Sequence, residues 1–201
     1  MKRIFTIGYS TFNIDDFISC LKKHNISCVV DVRSNPFSEF FQDYNKDVLE
    51  RSLQKYNILY RNYKKEFGAR QEDFSFYPEG YLDFSLFTKS PVFIEGLEKI
   101  EKGVAKGYVF VLMCAEKDPI GCHRNIMVAK AFKENGYEIN HIHSDCQIET
   151  QAELEIRMLD QYFPDRKQIK LFEESQSEIE LIETSYKLKN KEIGYQILLG
   201  C

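Results

Sequence analysis

The stretch YVFVLMCAEKDPIGCHR, residues 108–124, decides the fold. It begins with an almost uninterrupted apolar run from Tyr108 to Met113, which is typical of a central parallel strand that is covered on both faces. The run ends at Cys114 and a polar loop follows. A helix is then predicted from about Cys122 to Asn135, with Gly136 just beyond its end. A buried strand, a polar loop and a helix in this order indicate an α/β domain.

Strands and helices alternate on both sides of this stretch. Apolar strands are predicted at residues 3–7, 28–32, 58–60 and 138–142, and amphipathic helices are predicted to start at or just after Asn13, Asn45, Ser90 and Thr150. This alternation predicts a Rossmann-like, doubly wound and mostly parallel sheet flanked by helices. Residues 62–90 show no clear periodicity, and a long excursion of this kind often carries a lid or a binding loop.

The length of the chain predicts one domain. Its 201 residues, 43% of them hydrophobic, can form one well-packed core but not two ordinary domains with a linker. We expect residues 1–172 to form the α/β domain. Residues 165–201 are richer in Glu, Lys and Ser, and we expect 173–201 to form a helical C-terminal extension packed on the same domain.

Composition excludes some classes of function. The formal net charge of −4 gives no overall attraction to polyphosphate, so nucleic-acid binding would need a local basic patch. The N-terminus resembles neither a signal peptide nor a membrane span, and we expect a cytoplasmic protein that does not contact a membrane. The six cysteines lack the dense spacing of a secreted disulfide scaffold, so reduced thiols are expected.

Five reactive or charged side chains are concentrated after the central strand, namely Cys114, Glu116, Cys122, His123 and Arg124. The first turn of the predicted helix offers free backbone N–H groups to an anion, and a thiol at that place beside a cation ionises more easily. We therefore expect Arg124 and His123 to bind substrate, and Cys114, Cys122 or Glu116 to act on it. The alternative is structural, with Cys114 as a small buried apolar residue and Arg124 as a surface charge.

Two further loops are predicted at the same edge of the sheet. Asp31-Val32-Arg33-Ser34-Asn35-Pro36 follows the second strand, and it could supply Arg33 to bind substrate and Asp31 as an acid or base. Its alternative role is an ion pair that ties two strand ends together. Ser10, after the first strand, could offer its hydroxyl to the same crevice, although a turn or helix cap explains it almost as well.

A zinc site is the competing interpretation of the cysteines. Cys114, Cys122 and His123 could supply three ligands, and Asp31, His141 or His143 a fourth. The spacing Cys-x7-Cys-His is not a recurrent zinc pattern, so the sequence favours a site without metal. It specifies no cofactor.

The motifs together resemble a known family. TIGYST, VVDVRSNPFS, YNKDVL and LMCAEKDPIGCHR, in this order and spacing, resemble the family catalogued as domain of unknown function 488. The resemblance covers roughly residues 3–172 and implies a compact Rossmann-like α/β protein without an established general activity. Tyr9 stands where many members have a histidine, so no role of that histidine carries over. The resemblance implies a shared site made of Ser10, Asp31, Arg33, Cys114, Glu116, Cys122, His123 and Arg124.

Three hypotheses for function remain open at this point. The first is an enzyme, a cysteine- or carboxylate-dependent hydrolase or transferase, that acts on a small anionic or nucleotide-like substrate in a strand-end pocket. The second is a nucleic-acid-binding or accessory module that uses Arg33, Arg124 and the Lys64-Lys65 pair without turnover. The third is a thiol redox or metal sensor built on Cys114 and Cys122. Neither the substrate nor the oligomeric state can be inferred from the sequence.

Overall fold

The computed structural model describes residues 2–166 and 176–197. The described strands are β1 (Arg3–Gly8), β2 (Cys28–Asp31), β3 (Leu59–Asn62), β4 (Phe110–Cys114), β5 (Glu138–Ile142) and β6 (Ile148–Thr150). They form one sheet in the order β3-β2-β4-β1-β5-β6. The first five strands are parallel, and the short β6 pairs antiparallel with β5. The predicted Rossmann-like, mostly parallel sheet with flanking helices is confirmed.

The described helices are α1 (Ile14–Lys23), α2 (Lys46–Gln54), α3 (Lys64–Phe67), α4 (Phe84–Phe87), α5 (Pro91–Ala105), α6 (Lys130–Glu134), α7 (Gln151–Tyr162) and α8 (Glu178–Ile193). The predicted caps are present, because the side chains of Asn13 and Ser90 accept hydrogen bonds from backbone N–H groups in the first turns of α1 and α5. None of the helices in the described part of the chain is long and apolar enough to cross a membrane.

Helices cover both faces of the sheet. β4 is buried along its whole length, as its apolar sequence predicts. On one face α5 and α6 contribute Phe93 and Phe132, and on the other α1 and α2 contribute Phe17 and Leu53, each at most 1% exposed. Burial of each such side chain stabilises the fold by about 1.5–3 kcal/mol. The two apolar layers hold β1, β4 and β2 in the middle of the domain.

The C-terminal part of the described chain packs on the domain. The Tyr186 hydroxyl of α8 donates to Glu155 of α7 at 2.8 Å. Beyond α8, the backbone N–H of Leu82 donates to the carbonyl of Tyr195 at 3.0 Å, and the N–H of Ile197 donates to the carbonyl of Gly80 at 2.9 Å. The chain after α8 is therefore fixed to the long excursion between β3 and α5. The expected domain boundary at residues 172 and 173 lies outside the described residues.

The helix predicted from Cys122 differs in form from the expectation. It begins as a π-helical segment, Arg124–Ala129, and becomes α-helical only in α6. Segments of this type are rare and are frequently found at functional sites. All six of its residues are buried, which explains why the sequence looked like an ordinary buried helix.

The expectation of reduced thiols is wrong for one pair of cysteines. Cys20 on α1 and Cys146 after β5 form a disulfide, with their Cα atoms 5.6 Å apart. The two residues are 126 positions apart in the chain, so only the fold brings them together. Among the described cysteines, Cys28, Cys114 and Cys122 are free thiols.

Candidate functional site

The three polar loops converge at the carboxyl edge of the sheet. Gly8 at the end of β1 lies opposite Cys114 at the end of β4, and Asp31 at the end of β2 lies opposite Met113. A Cβ atom on Gly8 would lie 1.9 Å from the carbonyl oxygen of Glu116, so only glycine allows the loop after β4 to pass this closely. The arrangement agrees with the rule that ligands bind at the carboxyl ends of parallel strands.

Cys114 and His123 form a thiol–imidazole pair. The Cys114 Sγ lies 3.9 Å from Nδ1 of His123. The other ring nitrogen, Nε2, is 2.9 Å from the carbonyl oxygen of Val32. Because a carbonyl only accepts hydrogen bonds, Nε2 carries the proton and Nδ1 of the neutral ring presents a lone pair to the thiol. The loop after β2 thus fixes the orientation of the His123 side chain, which belongs to the loop after β4.

A second thiol, Cys122, adjoins this pair. Its thiol donates to Oε2 of Glu116 at 2.9 Å, and its sulfur lies within 4.8 Å of the Cys114 sulfur. Burial opposes ionisation of Cys122, but the hydrogen bond from Cys114 and the charge of Arg124 take the pKa of Cys122 well below its ordinary value. The hydrogen bond to Cys122 and burial raise the pKa of Cys114. The two thiols therefore differ in acidity, with Cys122 the more easily ionised of the pair.

The charge at Cys122 influences two neighbouring groups. Burial raises the pKa of Glu116, and the adjacent Cys122 charge raises it further. Burial lowers the pKa of His123, but the hydrogen bond and charge of Cys122 outweigh it, so the net direction is upward. A base with a raised pKa next to a thiol is what proton abstraction from that thiol requires.

The Arg124 side chain holds the loop after β4 in place through hydrogen bonds to its backbone. It is fully buried, and its Nη1 and Nη2 donate to the carbonyl oxygens of Glu116 at 2.6 Å and Lys117 at 3.2 Å. Its backbone N–H points at the Cys122 sulfur at 3.4 Å. Its Nε has no hydrogen-bond partner within residues 2–166 and 176–197. Arg124 thus positions the loop and places a positive charge beside Cys122.

Arg33 is held in a different way. Oδ1 of Asp31 accepts from Nε of Arg33 at 2.8 Å, and Oδ2 accepts from Nη2 at 2.6 Å, which is bidentate pairing. The Tyr60 hydroxyl donates to the same carboxylate at 2.5 Å. The guanidinium lies over the Tyr9 ring, 4.9 Å from its centroid. Arg33 is only 5% exposed, and its Nη1 has no hydrogen-bond partner in the described part of the chain.

The converging loops enclose a cleft of about 290 Å³. Of the residues predicted from the sequence, four line it: Arg33, Cys114, Glu116 and His123. The other four lie outside the lining and support it, since Asp31 holds Arg33, Cys122 and Arg124 lie behind Cys114, and the Ser10 N–H donates to the loop at Ala115. The remaining lining residues are Tyr9, Ser34, Asn35, Ala69, Arg70, Ala115, Gly121, Ile193 and Tyr195.

Sequence reasoning missed Arg70 and Tyr195. Arg70 lies in the excursion that showed no periodicity, and its backbone N–H donates to the Ser34 hydroxyl at 2.9 Å. Its guanidinium lies over the Tyr195 ring, 4.6 Å from the centroid. The sequence gives no signal for either residue, because Arg70 reaches the cleft through its contact with Ser34 and Tyr195 reaches it through the docking of the C-terminal segment.

Three side chains could hold a metal ion. The ligand atoms of Cys114, Cys122 and His123 all lie within 4.8 Å of one another. His141 uses both ring nitrogens elsewhere, toward Thr6 at 2.8 Å and Gln151 at 2.9 Å. His143 pairs with Glu149.

Fold and site together define an α/β protein with a thiol–imidazole pair at the carboxyl edge of a parallel sheet. The chain belongs to the family described as Domain of unknown function DUF488, whose family model matches residues 13–131. This confirms the resemblance carried by the motifs. Comparison with curated proteins gave no match, and comparison with solved structures gave none.

Proposed function

We propose that the protein is an enzyme, a hydrolase or transferase, in which the Cys114 thiol attacks a small anionic or nucleotide-like substrate. The observation that carries this proposal is the position of Cys114, in the cleft lining and with its sulfur 3.9 Å from His123 Nδ1. A nucleophile and a base within reach of each other, with the base oriented by a third group, is the arrangement that nucleophilic catalysis requires.

The base in this mechanism is His123. Its Nε2–H donates to the Val32 carbonyl at 2.9 Å, which turns Nδ1 toward Cys114 and makes Nδ1 the nitrogen that takes up the proton. The distance from Nδ1 to sulfur is long for a hydrogen bond, as is common before a substrate is bound. The negative charge at Cys122 stabilises the imidazolium that forms when His123 takes the proton.

Two arginines supply the affinity for an anion. Nη1 of Arg33 is a buried donor without a partner in the described chain, so a ligand oxygen at this point would satisfy it. Arg70 contributes a second guanidinium from the opposite loop. A cleft of about 290 Å³ fits a small molecule.

The chemical step balances without an external reagent. The Cys114 proton moves to His123, and sulfur forms a bond to the electrophilic atom of the substrate. The bond from that atom to the leaving group breaks, the leaving group keeps the electron pair, and it receives the proton from His123. Water in a hydrolase, or an acceptor group in a transferase, then displaces the sulfur and returns a proton to it through His123.

Alkylation with two reagents of different charge tests the proposal. We expect iodoacetate, an anion, and iodoacetamide, its neutral analogue, both to modify Cys114, and iodoacetate to be favoured relative to its reaction with free cysteine. Mass spectrometry of proteolytic peptides locates the modified residue, and the disulfide-bonded Cys20 and Cys146 stay unlabelled. Cys114→Ser should abolish the rapid modification.

Cys28→Ser is the matched control, because Cys28 is also a buried free thiol but lies in β2 within the core. It should leave the rate and the preference unchanged. Modification of Cys114 no faster than that of Cys28, or without preference for the anion, would contradict the proposal.

A further inference from the structure

We infer that Cys114, Cys122 and His123 form a binding site for Zn²⁺ beneath the cleft. Metal binding here goes beyond the proposed function, since it needs only the three ligands and no substrate. Two sulfurs and an imidazole are ligands that zinc prefers. Cys114 ends β4, Cys122 and His123 directly precede the π-helical segment, and the fold has already brought the three together.

The distances are close to those of a zinc site. The three ligand atoms lie within 4.8 Å of one another, and the Cys114 sulfur is 3.9 Å from His123 Nδ1. In a tetrahedral site with Zn–S of about 2.3 Å and Zn–N of about 2.0 Å, neighbouring ligand atoms are about 3.5–3.8 Å apart. Closing the triad around an ion thus needs movements of about 1 Å or less.

Groups around the triad orient its members for a metal. The Val32 carbonyl accepts from Nε2 of His123, which leaves Nδ1 as the coordinating atom. The backbone N–H of Arg124 points at the Cys122 sulfur at 3.4 Å and stabilises a thiolate there. The structure therefore offers a donor set of two thiolates and one imidazole, which leaves a fourth position for water or another small ligand.

Occupancy by zinc would also regulate the proposed chemistry. A zinc ion bound to Cys114 and His123 uses the lone pairs that attack and proton abstraction need, so metal-loaded protein should not be alkylated at Cys114. This consequence rests on the proposed function, whereas the binding does not. Zinc would therefore act as an inhibitor of the thiol.

Titration of the full chain with Co²⁺ and Zn²⁺ tests the site. After treatment with a chelator and a reductant, we expect one Co²⁺ per chain, with thiolate-to-cobalt charge-transfer absorption and the visible bands of a tetrahedral ion. Zn²⁺ should displace Co²⁺ with the same stoichiometry. Cys114→Ser, Cys122→Ser and His123→Asn should each weaken Zn²⁺ binding by at least about 10-fold, since losing even an outer-shell partner typically costs that much.

Cys28→Ser is again the control and should bind Co²⁺ with an unchanged spectrum. Thermal unfolding of each variant establishes that it is folded before it is titrated. The inference is overturned if Co²⁺ shows no thiolate absorption, or if the three variants bind Zn²⁺ as tightly as the parent. Alkylation of metal-free protein reports separately on the proposed function, so either idea can fail while the other stands.

Discussion

The two buried arginines of the site, Arg33 and Arg124, look equivalent in the sequence but differ in their partners. Arg33 pairs with a carboxylate, that of Asp31, and keeps one buried donor, Nη1, without a partner in the described chain. Arg124 donates to two backbone carbonyls, and its charge lowers the pKa of the neighbouring Cys122 thiol. The two buried arginines thus differ in what holds them: a carboxylate holds Arg33, the one that we propose for a ligand, whereas the donors of Arg124 fix the loop after β4.

Removing the Asp31 carboxylate should have the largest effect on stability. Asp31→Asn leaves the Arg33 charge buried without a counterion, and we expect a loss of about 3–5 kcal/mol in the free energy of unfolding, measured with urea. The double variant Asp31→Asn/Arg33→Met should lose less than Asp31→Asn alone, because it leaves no orphaned charge. Asp43→Asn, at an exposed aspartate, is the control and should stay within about 0.5 kcal/mol of the parent. A double variant that is no more stable than Asp31→Asn would contradict this reading of the pair.

Arg124→Met should have the next largest effect on stability. The carbonyls of Glu116 and Lys117 lose their donors, which costs about 1–3 kcal/mol each, while methionine fills most of the space. We expect a loss of about 2–4 kcal/mol in the free energy of unfolding. A change below about 0.5 kcal/mol, as at an ordinary surface position, would show that the loop does not depend on these hydrogen bonds.

The same variant should change the titration of the thiol pair. Arg124 is one of the groups that hold the pKa of Cys122 below its ordinary value, so its removal should move the first thiol ionisation to higher pH. The pH dependence of thiolate ultraviolet absorption, with Cys122→Ser as the reference, measures this. Arg33→Lys should leave the titration nearly unchanged, and a shift of equal size would remove the distinction between the two arginines.

Arg33→Lys should instead weaken anion recognition. Lysine keeps a charge for Asp31 but lacks the planar fork, so it cannot satisfy the carboxylate and still present a donor to the cleft. We expect the preference of Cys114 for iodoacetate over iodoacetamide to fall about 10-fold, the equivalent of one charged hydrogen bond. An unchanged preference would show that Arg33 does not bind the anion.

Of these substitutions, Arg70→Gln should have the smallest effect on anion recognition. Arg70 is exposed, and an exposed charge contributes at most about 1 kcal/mol, so the iodoacetate preference should fall about 3-fold. Stability should change by less than about 0.5 kcal/mol, which makes this variant free of folding artefacts. Arg61→Gln, at another exposed arginine outside the cleft lining, is the control for a general effect of charge.

The sequence predicted the framework well because periodicity is a local property. The strands, the caps Asn13 and Ser90, and the convergence of the loops after β1, β2 and β4 follow from apolar patterns and the geometry of parallel sheets. The direction in which each polar side chain points, by contrast, depends on the whole fold and cannot be inferred from the local sequence. The sequence favours Cys122 as the activated thiol, because it lies at the predicted helix start beside Arg124, whereas the structure places Cys114 in the cleft lining and Cys122 outside it.

Long-range contacts account for the rest of what was missed. The Cys20–Cys146 disulfide joins residues 126 positions apart. β6 has three residues, too few for an alternating pattern to be recognised. Arg70 reaches the cleft through a backbone hydrogen bond to Ser34, and no pattern in the sequence encodes that contact. Such features depend on how distant segments pack together.

Because the chain after α8 is attached to residues 80–82, the residues that line the cleft come from two parts of the sequence. The thiols, the imidazole and both cleft arginines lie inside residues 13–131, the part that matches the family. Ile193 and Tyr195 line the same cleft from outside that part. The residues that we propose to react and these two lining residues thus lie in different parts of the chain. A relative that exchanged only its C-terminal segment could keep the chemistry and admit a molecule of a different shape.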